Sequence, residues 1–369
     1  MMGVYATASG IASPLGSSLS AIWDAIAAGQ RGIARHVDLR LSAAPFFASK
    51  FDEAQLRFED SHLSSFEQLA LAGIDAATKG LTFDPQQAIL ILATTKGNIE
   101  WLQDTEKQAR LGLHSSAKML AGYLGLTTKP IAVSHACVSG VSALQYGARL
   151  IQTGRCRHAI VVGADRLSRF VLSGFQSFQA IADEPCRPFD AARKGINLGE
   201  AATTIILSNE PGETPLARLC GGATSNDANH ISGPSRSGLE LARAIANTLS
   251  EAGIKPHEVD AISAHGTATV YNDEMEAKAF AHAGVIHAPL HSLKGYFGHT
   301  LGAAGVLESA LLIESLRRQT LIPSIGFEHS GVSEVVNVTR EMQPANIRYA
   351  LKTASGFGGC NAAILWERA

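Results

Sequence analysis

The sequence predicts an α/β fold, and three observations carry the prediction. Short apolar segments alternate with longer amphipathic ones along the chain. The short segments are apolar at consecutive positions, as strands covered on both faces must be. The 369 residues, 46% hydrophobic and 17% charged, suffice to bury one extended core or two fused domains.

Taken in order, "VYATASGIAS" from Val4 reads as a strand and "SLSAIWDAIAAGQ" from Ser18 as the helix after it. "QAILILATT" from Gln87 is a second strand, followed by a helical stretch. "KPIAVSH" from Lys129 is a third, leading into the helix "VSGVSALQYGARLIQTG", and "HAIVVGAD" from His158 is a fourth. The second half repeats the rhythm. There "ELARAIANTLSEAGIKPHEV" from Glu240 is a helix and its exit, and "DAISAHGT" from Asp260 a buried strand ending in polar residues. "GAAGVLESALLIESLRRQ" from Gly302 is a further helix, and "NAAILWER" from Asn361 closes the chain as a strand. Between the halves, Pro211 and Pro215 flank Gly212 and Glu213 in what reads as a joining loop. The expected domains are residues 1–210 and 211–369, and no residue-level repeat relates them.

A formal net charge of -2 provides no global attraction to nucleic acid or an anionic membrane, so neither is expected as a partner. No apolar run reaches the roughly 18 residues that span a bilayer. Five cysteines, an odd number without CxxC spacing, and a start without a basic and apolar leader imply a reduced, cytoplasmic protein. No close Cys/His ligand pair is present, so no metal is expected.

In "SHACVSGVSAL" Cys137 falls between a strand end and a helix start. Unpaired amides and the helix dipole there favour an anion, which predicts a lowered thiol pKa and a nucleophile. The alternative is a small buried hydrophobe, with Ser139 and Gly140 serving the turn. His265, just after an apolar strand, and Lys294 and His299, in a glycine-rich loop before a helix, are the candidate bases and donors.

These motifs resemble those of the β-ketoacyl-acyl-carrier-protein synthase family. "ACVSG" is similar to its nucleophile motif, "AHGTAT" to its first histidine motif, and "LKGYFGHTLGAAGVLES" to its lysine and second histidine motif. "GFGGCN" resembles its C-terminal glycine loop and "RPFDAARKGINLGEAA" its central signature. The resemblance runs from "SGIASPLG" to "NAAIL".

The resemblance implies the thiolase fold, two similar α/β halves with mixed five-stranded sheets stacked as αβαβα, and normally a dimer. It implies decarboxylative Claisen condensation, in which Cys137 takes an acyl chain from an acyl carrier protein. His265 and His299 would stabilise the enolate formed from malonyl carrier protein. Backbone amides at Cys137 and Phe357 would form an oxyanion hole, and Lys294 would pair with Glu308. Thr267 and Thr269 would bind the pantetheine arm, Phe357 would gate the pocket beside the flexible Gly358, and Phe175 would line it. No cofactor beyond the carrier's phosphopantetheine is implied.

A degradative thiolase would need a second catalytic cysteine, and initiating synthases use His and Asn, so the elongating Cys-His-His class fits best. The alternative is a non-catalytic partner of chain-length-factor type in a heterodimer. An ester- or amide-forming relative would not need both histidines.

Two departures bear on partners. The chain is shorter than typical elongating members, mostly around Thr94–Gly125. A basic cluster for the acidic carrier is replaced by "FEDSHLSS" at 58–65, and a usual arginine by Gln179. Arg35, Arg40, Lys107, Lys118 and Arg169 are the basic residues expected to compensate. The reading is a synthase of a specialised pathway such as type II polyketide or aryl-polyene assembly, acting as a homodimer or paired with a related subunit.

Overall fold

A computed structural model describes residues 3–52, 62–229 and 233–369. The first half runs β1 (Tyr5–Ala12), α1 (Leu19–Ala27), β2 (Ile33–His36), β3 (Phe46–Ser49), α2 (Ser65–Thr78), β4 (Ala88–Ala93) and α3 (Leu113–Tyr123). It continues β5 (Ile131–Val133), α4 (Ser139–Gln152), β6 (His158–Asp165), α5 (Arg169–Ser177), β7 (Leu198–Gly199) and β8 (Ala201–Ser208). The second half runs β9 (Ala217–Asn226), α6 (Leu239–Ala252), β10 (Ala261–Ser263), α7 (Val270–His282), β11 (Leu290–His291) and α8 (Lys294–Phe297). Then come α9 (Ala304–Arg318), β12 (Thr320–Leu321), β13 (Gln343–Pro344), β14 (Tyr349–Gly356) and β15 (Cys360–Glu367). Every segment read as a strand or helix from the sequence takes that form here.

The halves share one wiring that no residue-level repeat reveals. In the first, the order from the inner edge is β1-β8-β6-β4-β5, and in the second β9-β15-β14-β10-β11. Each sequence of pairings is antiparallel, antiparallel, parallel, parallel. The two five-stranded sheets meet where β1 pairs β9 through Tyr5 with Arg218 and Ala6 with Ala217, making one continuous ten-stranded sheet.

Strand periodicity explains the layers. Along β4 and β6, Ile91 and Val161 face a central core with α4 and α9, while Leu90, Leu92, Ile160 and Val162 face α2 and α3. In the second half, Ala350, Ile364 and Ala362 join the central core, while Leu351 and Leu365 pack under α6 and α7. The stack is therefore αβαβα, with α4 and α9 in the middle. Among the described residues, no helix is long and apolar enough to cross a membrane.

The two central helices touch backbone to backbone at their first turns. A Cβ on Gly140 would lie 2.7 Å from Val306 N, and one on Gly305 would lie 2.4 Å from Val141 N. Gly140 therefore serves the helix contact, and of the pair that the alternative reading gave to the turn only Ser139 holds it. This contact sets the loop before α4 against the loop before α9, and so Cys137 against His299.

Candidate active site

Cys137 lies two residues before α4, in a tight turn held by Ser139. The Ser139 hydroxyl accepts the His135 N–H at 2.8 Å and donates to Ala136 O at 2.6 Å. Ala136 takes a left-handed φ of 44°, a conformation that costs a non-glycine residue about 1–3 kcal/mol and persists only when its surroundings impose it. The thiol is buried, and its pKa corrects the helix-start expectation. Burial pushes it up to about 12, Cys360 and Asp165 add to the rise, and Lys294 and the Phe357 amide oppose it. Desolvating an anion outweighs the helix start here.

His265 follows β10, and its backbone is fixed by an acid the sequence reading missed. Glu276, on α7, accepts the N–H of His265 at 2.8 Å and of Gly266 at 2.6 Å, and the Thr353 hydroxyl at 3.0 Å. His299 is fixed through the main chain, donating to Asn197 O at 2.7 Å and accepting from Gly199 N at 3.0 Å. Leu301, just beyond it, has a φ of 53°. Asp165, also missed, ends β6 and takes the N–H of Gly302 at 2.7 Å and the hydroxyls of Thr94 and Thr95, tying the His299 loop to the first half.

The imidazoles meet edge to face, with centroids 5.2 Å apart. Cys137 Sγ and one ring nitrogen of each histidine lie within 4.8 Å of one another. Burial first, and then Lys294, hold both histidines well below the ordinary imidazole range, so both are neutral. The thiol and imidazoles, far apart in sequence, are zinc-type donors. Two buried ammonium groups beside them, Lys294 and Lys352, disfavour a divalent cation.

Lys294 belongs to the one-turn helix α8 rather than a loop. It donates to Glu308 Oε1 at 2.7 Å, and side-chain exposures of 0% and 3% exclude a surface ion pair. Burial alone would raise the Glu308 carboxyl, but Lys294 and Lys352 hold it below the usual carboxylate range.

The three side chains open into a cavity of about 460 Å³ that Thr267, Thr269, Phe175 and Phe357 also line. The Thr267 and Thr269 hydroxyls are 2.8 Å apart. Phe175 stacks on Phe357 at 5.5 Å, and Phe178, missed from the sequence, meets that ring edge-on at 5.4 Å. Gly358 does not line the cavity. It supplies a left-handed φ of 84° next to Phe357.

The expected basic residues are not at this mouth. Arg40 and Arg169 line a separate hollow beside Phe170, and Lys107 lies over Trp101 and pairs with Asp104. Lys194, Arg193 and Gln179 border the Cys137 cavity instead. Of "FEDSHLSS", residues 58–61 lie outside the described residues.

Comparison with known proteins fits this geometry. Residues 2–211 match the family model described as "Beta-ketoacyl synthase, N-terminal domain", and residues 216–328 match "Beta-ketoacyl synthase, C-terminal domain". The chain is 30% identical, over an alignment of 410 residues covering 99% of both chains, to the 3-oxoacyl-[acyl-carrier-protein] synthase 2 of Vibrio cholerae. A beta-ketoacyl synthase from Burkholderia phymatum superposes with a TM-score of 0.91 at 25% identity, covering 100% of each chain. A ketosynthase in complex with its chain length factor from Xenorhabdus doucetiae is matched with a TM-score of 0.87 at 29% identity, covering 100% of this chain and 98% of that one.

Proposed function

We propose that this chain, which belongs to the beta-ketoacyl synthase family of acyltransferases, performs decarboxylative condensation of an acyl thioester with malonyl-acyl carrier protein through an acyl group on Cys137. The convergence of one thiol and two neutral imidazoles within 4.8 Å carries the reading.

In the first half-reaction Cys137 Sγ attacks the acyl thioester carbonyl, and the carbon–sulfur bond to the carrier's pantetheine breaks. The thiol proton passes by a neutral imidazole to the leaving pantetheine sulfur. The amides of Cys137 and Phe357 are assigned to the intermediate oxyanion, on the family resemblance. This proton path is needed because a thiol with its pKa near 12 is protonated at neutral pH.

In the second half-reaction malonyl carrier protein occupies the same cavity, and its bond to the carboxylate breaks. Carbon dioxide leaves, and the electron pair forms a thioester enolate. His265 and His299 donate to the enolate oxygen, neutral imidazoles being weak enough acids to stabilise it without quenching the carbanion. The carbanion attacks the acyl carbonyl, the bond to Cys137 breaks, and the returning thiolate takes up one proton. A β-ketoacyl chain two carbons longer remains on the carrier.

No resident cofactor is called for. Thr267 and Thr269 are assigned to the pantetheine arm, and the Phe175–Phe357 stack to the acyl end, with Phe357 as gate. The partners are an acyl carrier protein and a second synthase-type subunit, either another copy or a chain-length-factor relative as in the Xenorhabdus doucetiae complex. Five free cysteines support a cytoplasmic setting. Incubation with acyl and malonyl carrier proteins tests the reaction. A β-ketoacyl carrier product dependent on Cys137 supports it, and carbon dioxide release without chain extension, or no reaction with cognate carriers, overturns it.

A further inference from the structure

A buried ammonium persists only where fixed partners replace its water. Lys352, in the middle of β14, is fully buried. Its Nζ lies 2.6 Å from Glu308 Oε2 and donates to the carbonyls of Ser263 at 3.1 Å and Ala264 at 3.3 Å. Those carbonyls belong to the last residue of β10 and to the residue joining it to His265.

The other oxygen of Glu308 is taken by Lys294, so one carboxylate faces two ammonium groups. Glu276 is a second carboxylate in the field of both lysines, and burial lowers the Lys352 pKa against the pull of Glu308 and Glu276, so what sets Lys352 apart is its grip on the two carbonyls. Glu276, from α7, turns its oxygens to the amides of His265 and Gly266. Burial raises its carboxyl above the usual range, against the pull of Lys352 and Lys294. On β11, burial and then Lys352 push His291 down to about 3, so it adds no charge. The cluster around the two imidazoles thus comprises Lys294 from α8, Glu308 from α9, Lys352 from β14, Glu276 from α7, neutral His291 and Cys137.

We infer that Lys352 is a second positioning residue of this site: it grips the two carbonyls that lead into His265 and ties them to Glu308, so fixing that imidazole for the malonyl step. This rests on the condensing role assigned above.

The test removes the grip on the carbonyls while keeping the bulk, with Lys352→Met, and reads the His265 ring resonances by NMR in the free enzyme alongside single-turnover rates for each half-reaction. The expected result is a displaced His265 resonance, with malonyl decarboxylation falling about tenfold or more and acyl transfer to Cys137 changing less. Lys352→Gln, which can still donate to the carbonyls, should recover much of the lost rate, and it replaces the Met variant if that does not fold. Unmoved His265 resonances in a folded variant, or equal loss in both half-reactions, overturn the inference. If the wild type makes no condensation product, the condensing role fails, while the NMR arm still decides whether Lys352 positions His265.

Discussion

Nζ of Lys294 lies 3.4 Å from Nδ1 of His265. An ammonium has donors and no lone pair, so Nδ1 is the acceptor and the ring proton sits on Nε2, available to the cavity. Lys294→Met removes this control of the tautomer. Malonyl decarboxylation should fall by about tenfold or more, with a smaller effect on acyl transfer to Cys137. Separate single-turnover assays of the two half-reactions check it, and equal losses contradict it.

The histidines should separate the same two steps. His265→Ala and His299→Ala each remove a donor to the enolate oxygen, and loss of such a donor costs about 100-fold or more. Condensation should drop by that amount in each variant, while acyl-Cys137 still forms in His265→Ala, where the unengaged ring of His299 can relay the thiol proton. A variant that neither acylates nor condenses would place its histidine in the first step.

The buried thiol makes a pH prediction with a definite sign. With its pKa raised to about 12 by burial, the thiolate fraction grows about tenfold per pH unit throughout the working range. Alkylation of Cys137 by iodoacetamide in the unacylated enzyme should therefore rise from about pH 6 to pH 9 without levelling off. A plateau near neutrality would mean a stabilised thiolate and would contradict the desolvated site.

The glycine contact between α4 and α9 should be sensitive to a single methyl. In Gly305→Ala the new Cβ meets Val141 N at 2.4 Å, and the helices must part. Overpacking of this kind costs about 1–3 kcal/mol, to be read from a denaturant melt. Activity should fall as well, because the same contact sets Cys137 against His299. A variant with unchanged stability would show that the helices are not held there.

Much of this molecule is legible in its residues, for identifiable reasons. β4 and β6 are apolar at consecutive positions because helices cover both faces, so their runs are unambiguous. The shared wiring of the halves is not legible, because what repeats is strand order and direction rather than residue type. Cys137 is visible from its place before α4, but its protonation is misread. The helix-start argument contains no term for burial or for Cys360, which is distant in sequence. Glu308 enters through a family resemblance. Glu276 and Lys352 are overlooked because their partners lie on other elements. A lysine inside the apolar run "YALKTASG" is nevertheless a signal, since a charge in a buried strand must have a partner somewhere.

The central claim is that Cys137 carries the acyl chain. Intact-mass measurement of the wild type and Cys137→Ala after exposure to acyl-loaded carrier protein, then to malonyl carrier protein, tests it most directly. The account predicts an acyl mass increment on the wild type that the variant lacks, lost on addition of malonyl carrier as a chain two carbons longer appears on the carrier. A wild type that never gains the acyl mass from its cognate carriers, or an increment that persists in Cys137→Ala, would contradict it.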